Sequence, residues 1–149
     1  KTPKWPSKPL FYANFTSITN SHTAPDACEN GFILIPLAPG IEDNEELREK
    51  YFNIVINRIE KLTKQKIKEN IIYKKSFCVN DFIEEYNSYK GNAYGLANTL
   101  LQTAFLRPKL KSSKVKNLFF TGQLTVPGPG VPPAIVSGKL VSDLIKKTN

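Results

Sequence analysis

The sequence predicts an α+β fold in which an antiparallel sheet is covered by a long helix. Residues 10–17 alternate apolar and polar side chains, and residues 32–37 are continuously apolar, so both read as strands. Residues 44–64 repeat apolar side chains at helical spacing. A separate strand, loop and helix follow from residue 117. The chain has 149 residues, which is enough to bury a core.

The first two strands are predicted to pair antiparallel, because the loop between them is too short for a crossover helix. Phe11, Ala13 and Phe15 then share one face of the first strand. Pro36 is expected at the end of the second strand or at its edge, since proline donates no hydrogen bond. Residues 70–78 are rich in β-branched and aromatic side chains and predict a further strand of the same sheet.

The long helix is predicted to begin at a cap on Asp43 or Asn44, and acidic residues in its early turns suit the helix dipole. Its buried stripe is predicted to contain Leu47, Tyr51, Ile54, Val55, Ile59 and Leu62. A second, short helix is predicted after a cap at residues 80–81.

The last third of the chain combines a short apolar run, a glycine–proline loop and a helix. Residues 117–121 predict a buried strand, and the following glycines and prolines exclude both helix and ladder pairing. The helix is predicted to begin at Pro132. Its apolar face is predicted to hold Val136, Leu140 and Leu144, with Val141 and Ile145 beside them. Such a helix start suits an electron-rich ligand, although an ordinary strand–helix turn explains the same pattern.

The net charge of +8 is unevenly distributed. Residues 104–149 carry eight lysines and arginines against a single acidic residue, a net charge of +7. A basic end indicates a nucleic acid, an anionic lipid surface or simply a solvated lysine-rich face. The aromatic residues lie in strands and are not interleaved with lysines, which argues against nucleic acid.

The composition leaves few routes to catalysis by side chains alone. Cys28 and Cys78 have no metal or redox spacing, so they are read as reduced thiols in a reducing compartment. His22 is the only histidine and is predicted to be a solvated loop residue. The sequence offers no zinc ligand set and no Ser/His/Asp set, so we predict no metal site and name no catalytic residue. Any reactive group would have to come from a cofactor.

The stretch from Phe119 to Ala134, FFTGQLTVPGPGVPPA, resembles the C-terminal signature of the bacterial-type phytoene (carotenoid) desaturases. These enzymes form part of the flavin amine-oxidase-like superfamily. Other stretches agree in order and spacing: residues 9–12, 24–26, 28–30, 32–36, 91–96 and 107–108. The match covers nearly the whole chain and is far more specific than a single glycine motif.

The resemblance implies that the chain is the C-terminal part of a longer FAD-dependent oxidoreductase acting on CH–CH groups. Residues 1–90 would belong to its substrate-binding domain, and residues 91–149 would close an FAD-binding Rossmann-type domain. The G-x-G-x-x-G turn that grips FAD in such enzymes does not occur here, so the piece alone is expected to be inactive and to bind FAD weakly. The strand at 117–121 would lack neighbours, which predicts self-association or repacking onto its own sheet.

The resemblance also implies which residues meet the cofactor. Amides of Gly130 and Val131, with the helix starting at Pro132, would stabilise negative charge near flavin N1 and the C2 carbonyl. The six implied contacts are Gly122, Gln123, Gly130, Val131, Pro132 and Pro133. Many related flavoproteins have an acidic residue at the position of Gln123. A carboxylate contact to the cofactor is therefore not expected here. Tyr94 and Leu96 are implied neighbours of the flavin–substrate cavity, with ordinary packing as the alternative.

The implied partners are a carotenoid substrate, a membrane surface and the missing N-terminal FAD domain, with a homo-oligomer possible and nucleic acid excluded. The expected location is the cytoplasm, peripherally associated with a membrane. Two alternatives stay open. One is a basic membrane- or nucleic-acid-binding module without catalysis, and the other is a related flavin carotenoid isomerase, ketolase or saturase, because these enzymes share the same motif.

Overall fold

The computed structural model describes residues 2–96, 99–103 and 106–148, and of residue 148 it describes the backbone only. The chain divides into two compact units, residues 1–91 and 92–149. Across the described residues it forms three α-helices and one two-stranded antiparallel sheet, which confirms the α+β class. A Rossmann-type domain and the assignment of the two units to substrate and cofactor stay predictions. None of the helices in the described part of the chain is both long and apolar enough to cross a bilayer.

The predicted antiparallel pair is confirmed in the first unit. Strand β1 (Tyr12–Phe15) pairs with strand β2 (Gly31–Leu34), so that Phe15 lies opposite Gly31. A Cβ on Gly31 would lie 3.1 Å from the Phe15 ring, and the glycine therefore lets that ring lie flat across the pair. Pro36 follows the end of β2, as expected of a residue without an N–H.

Helix α1 (Glu45–Thr63) covers this sheet. Its N-cap is Asn44, whose side chain accepts a hydrogen bond from the Leu47 N–H at 2.9 Å. The core of the first unit is a cluster of helix residues packed against both strands. It contains Val55, Ile56 and Ile59 of α1, with Phe11, Ala13, Ile33 and Ile35 from the sheet side. Burial of these side chains, at about 25 cal/mol per Å² of apolar surface, holds the helix on the sheet.

The predicted stripe of α1 is wrong at its end. Leu62 is 75% exposed, whereas Ile56, which was not predicted, is buried. Strands of four residues span only about 13 Å, and a helix of 19 residues is about 28 Å long. The last turn of α1 therefore extends past the sheet that it covers.

Helix α2 (Val79–Tyr86) follows an irregular segment and begins one residue after Cys78. The Asp81 carboxylate accepts a hydrogen bond from the Cys78 N–H at 2.6 Å, so residues 80–81 lie inside the first turn and are not the cap. The two helices are joined by Arg48, which pairs with both Asp43 and Asp81 at 2.7 and 2.8 Å.

The strand predicted at residues 70–78 is wrong. The segment is irregular, and Ile72 and Tyr73 are 83% and 78% exposed. It lies along α1 instead of joining the sheet, because Glu49 of α1 binds Lys74 and only Ile71 reaches the apolar cluster. These contacts between the segment and the helix outweigh its β propensity.

In the second unit the apolar run at 117–121 is not a buried strand. Phe119 forms a single antiparallel bridge with Lys111, flanked by a hydrogen bond from the Phe120 N–H to the Leu110 carbonyl at 2.8 Å. Leu118 and Phe120 are exposed. Leu110 and Lys111 thus supply the partner that the run was expected to lack.

Helix α3 (Val131–Thr148) ends the described chain, and most of its predicted apolar face is not buried. Val136, Leu140, Leu144 and Ile145 are exposed, whereas Ser137 and Val141 are buried. Within this unit the loop before the helix packs on the side that carries Ser137, and that contact decides which face of α3 is covered.

Candidate functional site

The glycine–proline corner, residues 121–133, connects the bridged run to α3. Gly122 and Gly130 have φ angles of +102° and +114°, which side chains rarely tolerate. A Cβ on Gly122 would meet no atom within 4 Å, so the outer side of this residue is open. A Cβ on Gly130 would touch the Pro133 ring at 3.4 Å. The glycines thus allow the backbone angles that the corner needs, and at residue 122 no side chain covers the backbone.

Ser137 fixes the near end of the corner to the helix. Its hydroxyl is fully buried, accepts a hydrogen bond from the Gly122 N–H at 2.7 Å and lies 2.8 Å from the Thr121 hydroxyl. It also donates to the Ala134 carbonyl at 2.7 Å. Because the Gly122 amide is used in this way, a ligand at residue 122 would meet open backbone and not a donor.

Arg107 supports the far side of the corner. Its side chain is only 4% exposed, and Nη1 donates to the Gln123 carbonyl at 3.3 Å. The guanidinium also lies about 3.4 Å from the position that a Gly128 Cβ would occupy. Because this buried cation contacts the loop at both Gln123 and Gly128, it restrains the shape of the loop and places a positive charge next to it.

The start of α3 presents few amide donors. The helix begins at Val131, one residue before the predicted Pro132. Pro132 and Pro133 have no N–H, and the Ala134 N–H donates to the Gly130 carbonyl at 3.0 Å. In the described chain, no backbone acceptor meets the amides of Gly130 and Val131, and Val131 is 75% exposed. Two donors therefore stand at the positive end of an 18-residue helix.

The number of free amides at the helix start limits which chemical group the corner can hold. Phosphate sites at helix starts use several successive amides, and the two prolines remove that possibility. One or two donors match a carbonyl oxygen or a ring nitrogen that gains negative charge. The corner thus fits the pyrimidine edge of a flavin better than it fits a diphosphate.

The predicted cavity residues lie beside the corner. The Gln123 amide donates to the Ala93 carbonyl at 3.3 Å, and a Cβ on Gly95 would lie 2.4 Å from Leu124. Residues 93–95 therefore rest against residues 123–124. Tyr94 is 62% exposed and Leu96 is half-buried on this edge.

An apolar surface pocket of about 350 Å³ lies in the second unit, and Val126 of the corner contributes to it. Its lining residues are Arg107, Pro108, Lys109, Leu110, Lys111, Val126 and Leu144. The predicted cofactor contacts do not line it, so the pocket and the helix start are separate features of the second unit. Among the described residues, no group of three His, Cys, Asp or Glu side chains is placed to hold a metal ion. His22 is exposed in a short turn, as predicted.

Sequence reasoning missed Ser137 and the supporting role of Arg107. A serine in the middle of an otherwise apolar helix is a weak signal, because serine is common on helix surfaces. In the sequence, Arg107 stands out only as part of a stretch that agrees with the family. Both contacts join residues 15 or 16 positions apart, which no local pattern predicts.

Comparison of its sequence with those of known proteins relates the chain to carotenoid desaturases. No family model matches the chain. It is 43% identical to a carotenoid 3,4-desaturase of Haloarcula japonica over 96% of its own length and 29% of the relative. It is 31% identical to a 4,4'-diapophytoene desaturase of Staphylococcus haemolyticus, over 94% of the chain and 29% of the relative. A zeta-carotene-forming phytoene desaturase of Myxococcus xanthus is 28% identical over 93% and 27%.

The chain is thus homologous to the carotenoid desaturases, which confirms the relationship that its C-terminal motif predicted. It spans less than a third of the length of these relatives.

Proposed function

We propose that the chain is the C-terminal portion of an FAD-dependent carotenoid desaturase, which introduces C=C bonds into a polyene. The single observation that carries the proposal is the pair of amides at Gly130 and Val131, exposed at the positive end of α3. The names of the homologous desaturases support the reaction class.

When bound, FAD would supply the acceptor for the hydride that leaves a saturated carbon of the substrate. The negative charge that follows would develop near flavin N1 and the C2 carbonyl. Gly130 and Val131 would donate hydrogen bonds there, and the dipole of α3 would add to their effect. These groups are fixed before the reaction, so stabilisation would cost no rearrangement.

The remaining predicted contacts have narrower roles in this proposal. Gly122 would allow close approach of the cofactor through its open face, because its own amide is already bonded to Ser137. Gln123 would meet the cofactor through its backbone, since its side-chain amide donates to Ala93. Pro132 and Pro133 would restrict the number of donors and thereby exclude a phosphate from the helix start.

Arg107 and Ser137 are positioning residues in this proposal. Neither would touch the cofactor, and both would hold the corner in the shape that presents the two amides. Tyr94 and Leu96 would border the polyene where it passes the flavin, because residues 93–95 rest against the corner. The proton that is lost with the hydride would go to a base outside these residues.

The test uses the longer protein that contains this chain. We expect it to purify with a flavin absorption spectrum and to convert a saturated carotenoid precursor into a product with additional double bonds. A protein that purifies without flavin and gains no activity from added FAD would overturn the cofactor. A flavoprotein that only isomerises, oxygenates or saturates the carotenoid would assign the related reaction instead. The 149-residue chain alone should bind FAD weakly, and micromolar binding in a fluorescence titration would contradict that.

A further inference from the structure

Basic charge in the first unit is concentrated in one short segment, residues 61–75, which we call the basic tip. It contains six lysines against Glu69, a net charge of +5. The rest of residues 1–91 carries seven basic and eleven acidic residues, a net charge of −4. The first unit is therefore strongly polarised although its total charge is close to zero. Such polarity orients a protein on an anionic surface.

The first part of the basic tip folds back on the end of α1. One Glu60 carboxylate oxygen accepts hydrogen bonds from the N–H groups of Ile67 and Lys68 at 2.7 and 2.8 Å. Ile67 and Ile71 pack against the apolar cluster of α1. Lys68 is thus held close to the last turn of the helix, whereas Lys74 lies further back along α1, where it pairs with Glu49.

Apolar side chains stand exposed within this basic region. Leu62, Ile72 and Tyr73 are 75%, 83% and 78% exposed. Their neighbours Ile67 and Ile71 pack against the apolar cluster, so the backbone that carries the exposed side chains is held in place. Isolated aliphatic groups and a tyrosine among lysines are suited to the boundary between lipid headgroups and acyl chains.

We propose that the basic tip is a docking surface for an anionic lipid membrane. The lysines would lie among the negatively charged headgroups, while Leu62, Ile72 and Tyr73 enter the interface between them. A nucleic acid is the less favoured anion, because aliphatic side chains offer no stacking face for bases. The surface does not depend on a bound cofactor, so it can be tested apart from the proposed enzyme activity.

The basic C-terminal region, residues 104–149, is the competing location. Its exposed apolar residues on α3 recur every three to four positions, as Val136, Leu140 and Leu144 do, which is the spacing of a helix face that packs on protein. Lys139 is paired with Asp143, and Lys146 and Lys147 lie in the last turn, where cations suit the helix dipole. Ion pairs do not separate the two regions, since Lys66 and Lys74 of the basic tip also pair, with Glu69 and Glu49. The other C-terminal lysines, at positions 109, 111, 114 and 116, lie outside α3, so the variants below decide between the two regions.

The test measures co-sedimentation of the 149-residue chain with two kinds of vesicle, phosphatidylcholine alone and phosphatidylcholine mixed with phosphatidylglycerol. We expect binding only to the anionic vesicles and a steep loss of binding as salt increases. The tip variant K61Q/K66Q/K68Q/K75Q avoids Lys74, which binds Glu49, and Lys64, which ends the helix with a positive φ. It should lower the partition coefficient by about 100-fold or more, because each lysine near the surface contributes roughly fivefold.

The matched control removes the same charge from the other basic region, as K109Q/K114Q/K116Q/K146Q, and should change binding far less. A second variant, I72S/Y73S, keeps every charge and should weaken binding by about tenfold or more. Circular dichroism and thermal melts of each variant check that the fold is kept, and the salt dependence of the unaltered chain needs no variant at all. Equal binding to neutral vesicles, loss through the control variant alone, or binding only to an oligonucleotide would overturn the proposal.

Discussion

The amide of Val131 can be removed without disturbing the helix that carries it. Val131 is the first residue of α3, a position where proline is well tolerated because its N–H has no partner inside the helix. Val131→Pro therefore deletes one of the two exposed donors and keeps the remaining backbone. Val131→Ala is the matched control, since it truncates a side chain that is already 75% exposed and retains the N–H.

The expected effect follows from the charge that this donor would meet. A hydrogen bond to a charged group contributes about 1.5–3 kcal/mol, more than one between neutral groups. If the amide meets negative charge only after reduction, Val131→Pro should lower the two-electron midpoint potential of bound FAD by about 30–60 mV. Turnover should fall by about 10- to 100-fold, since each 1.4 kcal/mol or so lost from the transition state lowers the rate about tenfold.

The assay is spectroelectrochemical titration of the flavin in the longer protein, combined with steady-state desaturation rates. Val131→Ala should leave both quantities close to those of the unaltered protein. If Val131→Pro and Val131→Ala have the same potential, the helix start does not face the flavin and the assignment of the corner fails. A loss of FAD from both variants would point instead to a role of this turn in folding.

Three further predictions concern stability, each measured by urea unfolding of the 149-residue chain. Ser137→Ala should cost about 1–3 kcal/mol, because the half-buried Gly122 amide and the Thr121 hydroxyl lose their hydrogen-bond partner, whereas Ser142→Ala on the exposed side of α3 should cost almost nothing. Val55→Ala should cost about 2–3 kcal/mol, since Val55 is fully buried in the cluster beneath the sheet. The hydrogen bonds from Arg48 lower the pKa of Asp43, so the stabilisation by this pair is complete above the pKa of an unfolded aspartate, about 4, and is lost as the pH falls below it. Asp43→Asn should reduce the loss of unfolding free energy at low pH. An unchanged dependence of stability on pH would contradict the role of the pair.

The parts of the fold that sequence predicted well are those whose signals are local. Asn44 caps the helix that follows it, and the alternation around Phe11 and Ala13 places both against α1. The glycine–proline loop and the helix that follows it also agree with proline and glycine chemistry, and the helix start was predicted to within one residue. Capping, alternation and turn residues act over a few positions, which is why a single sequence reveals them.

The errors arose where burial depends on a partner distant in sequence. Residues 70–78 have strand-like composition, but contacts such as Lys74 with Glu49 hold them along α1. The stripe of Val136 and Leu140 has the predicted helical period, yet the covered side of α3 is the one bearing Ser137. Periodicity identifies an apolar face, but it does not say which neighbour in the fold will cover it.

The two prolines at the helix start give the corner a selectivity that the glycines alone would not. A helix start with four open amides attracts any anion, and phosphate most of all. Pro132 and Pro133 have no N–H groups, and the Ala134 N–H donates to the Gly130 carbonyl, so the amides of Gly130 and Val131 can meet one or two small acceptors. The buried guanidinium of Arg107 then adds positive charge from below without offering the ligand a competing donor on the surface. Such a site discriminates by the number of acceptors, so under the proposed function the flavin ring edge, and not the diphosphate, would lie at α3.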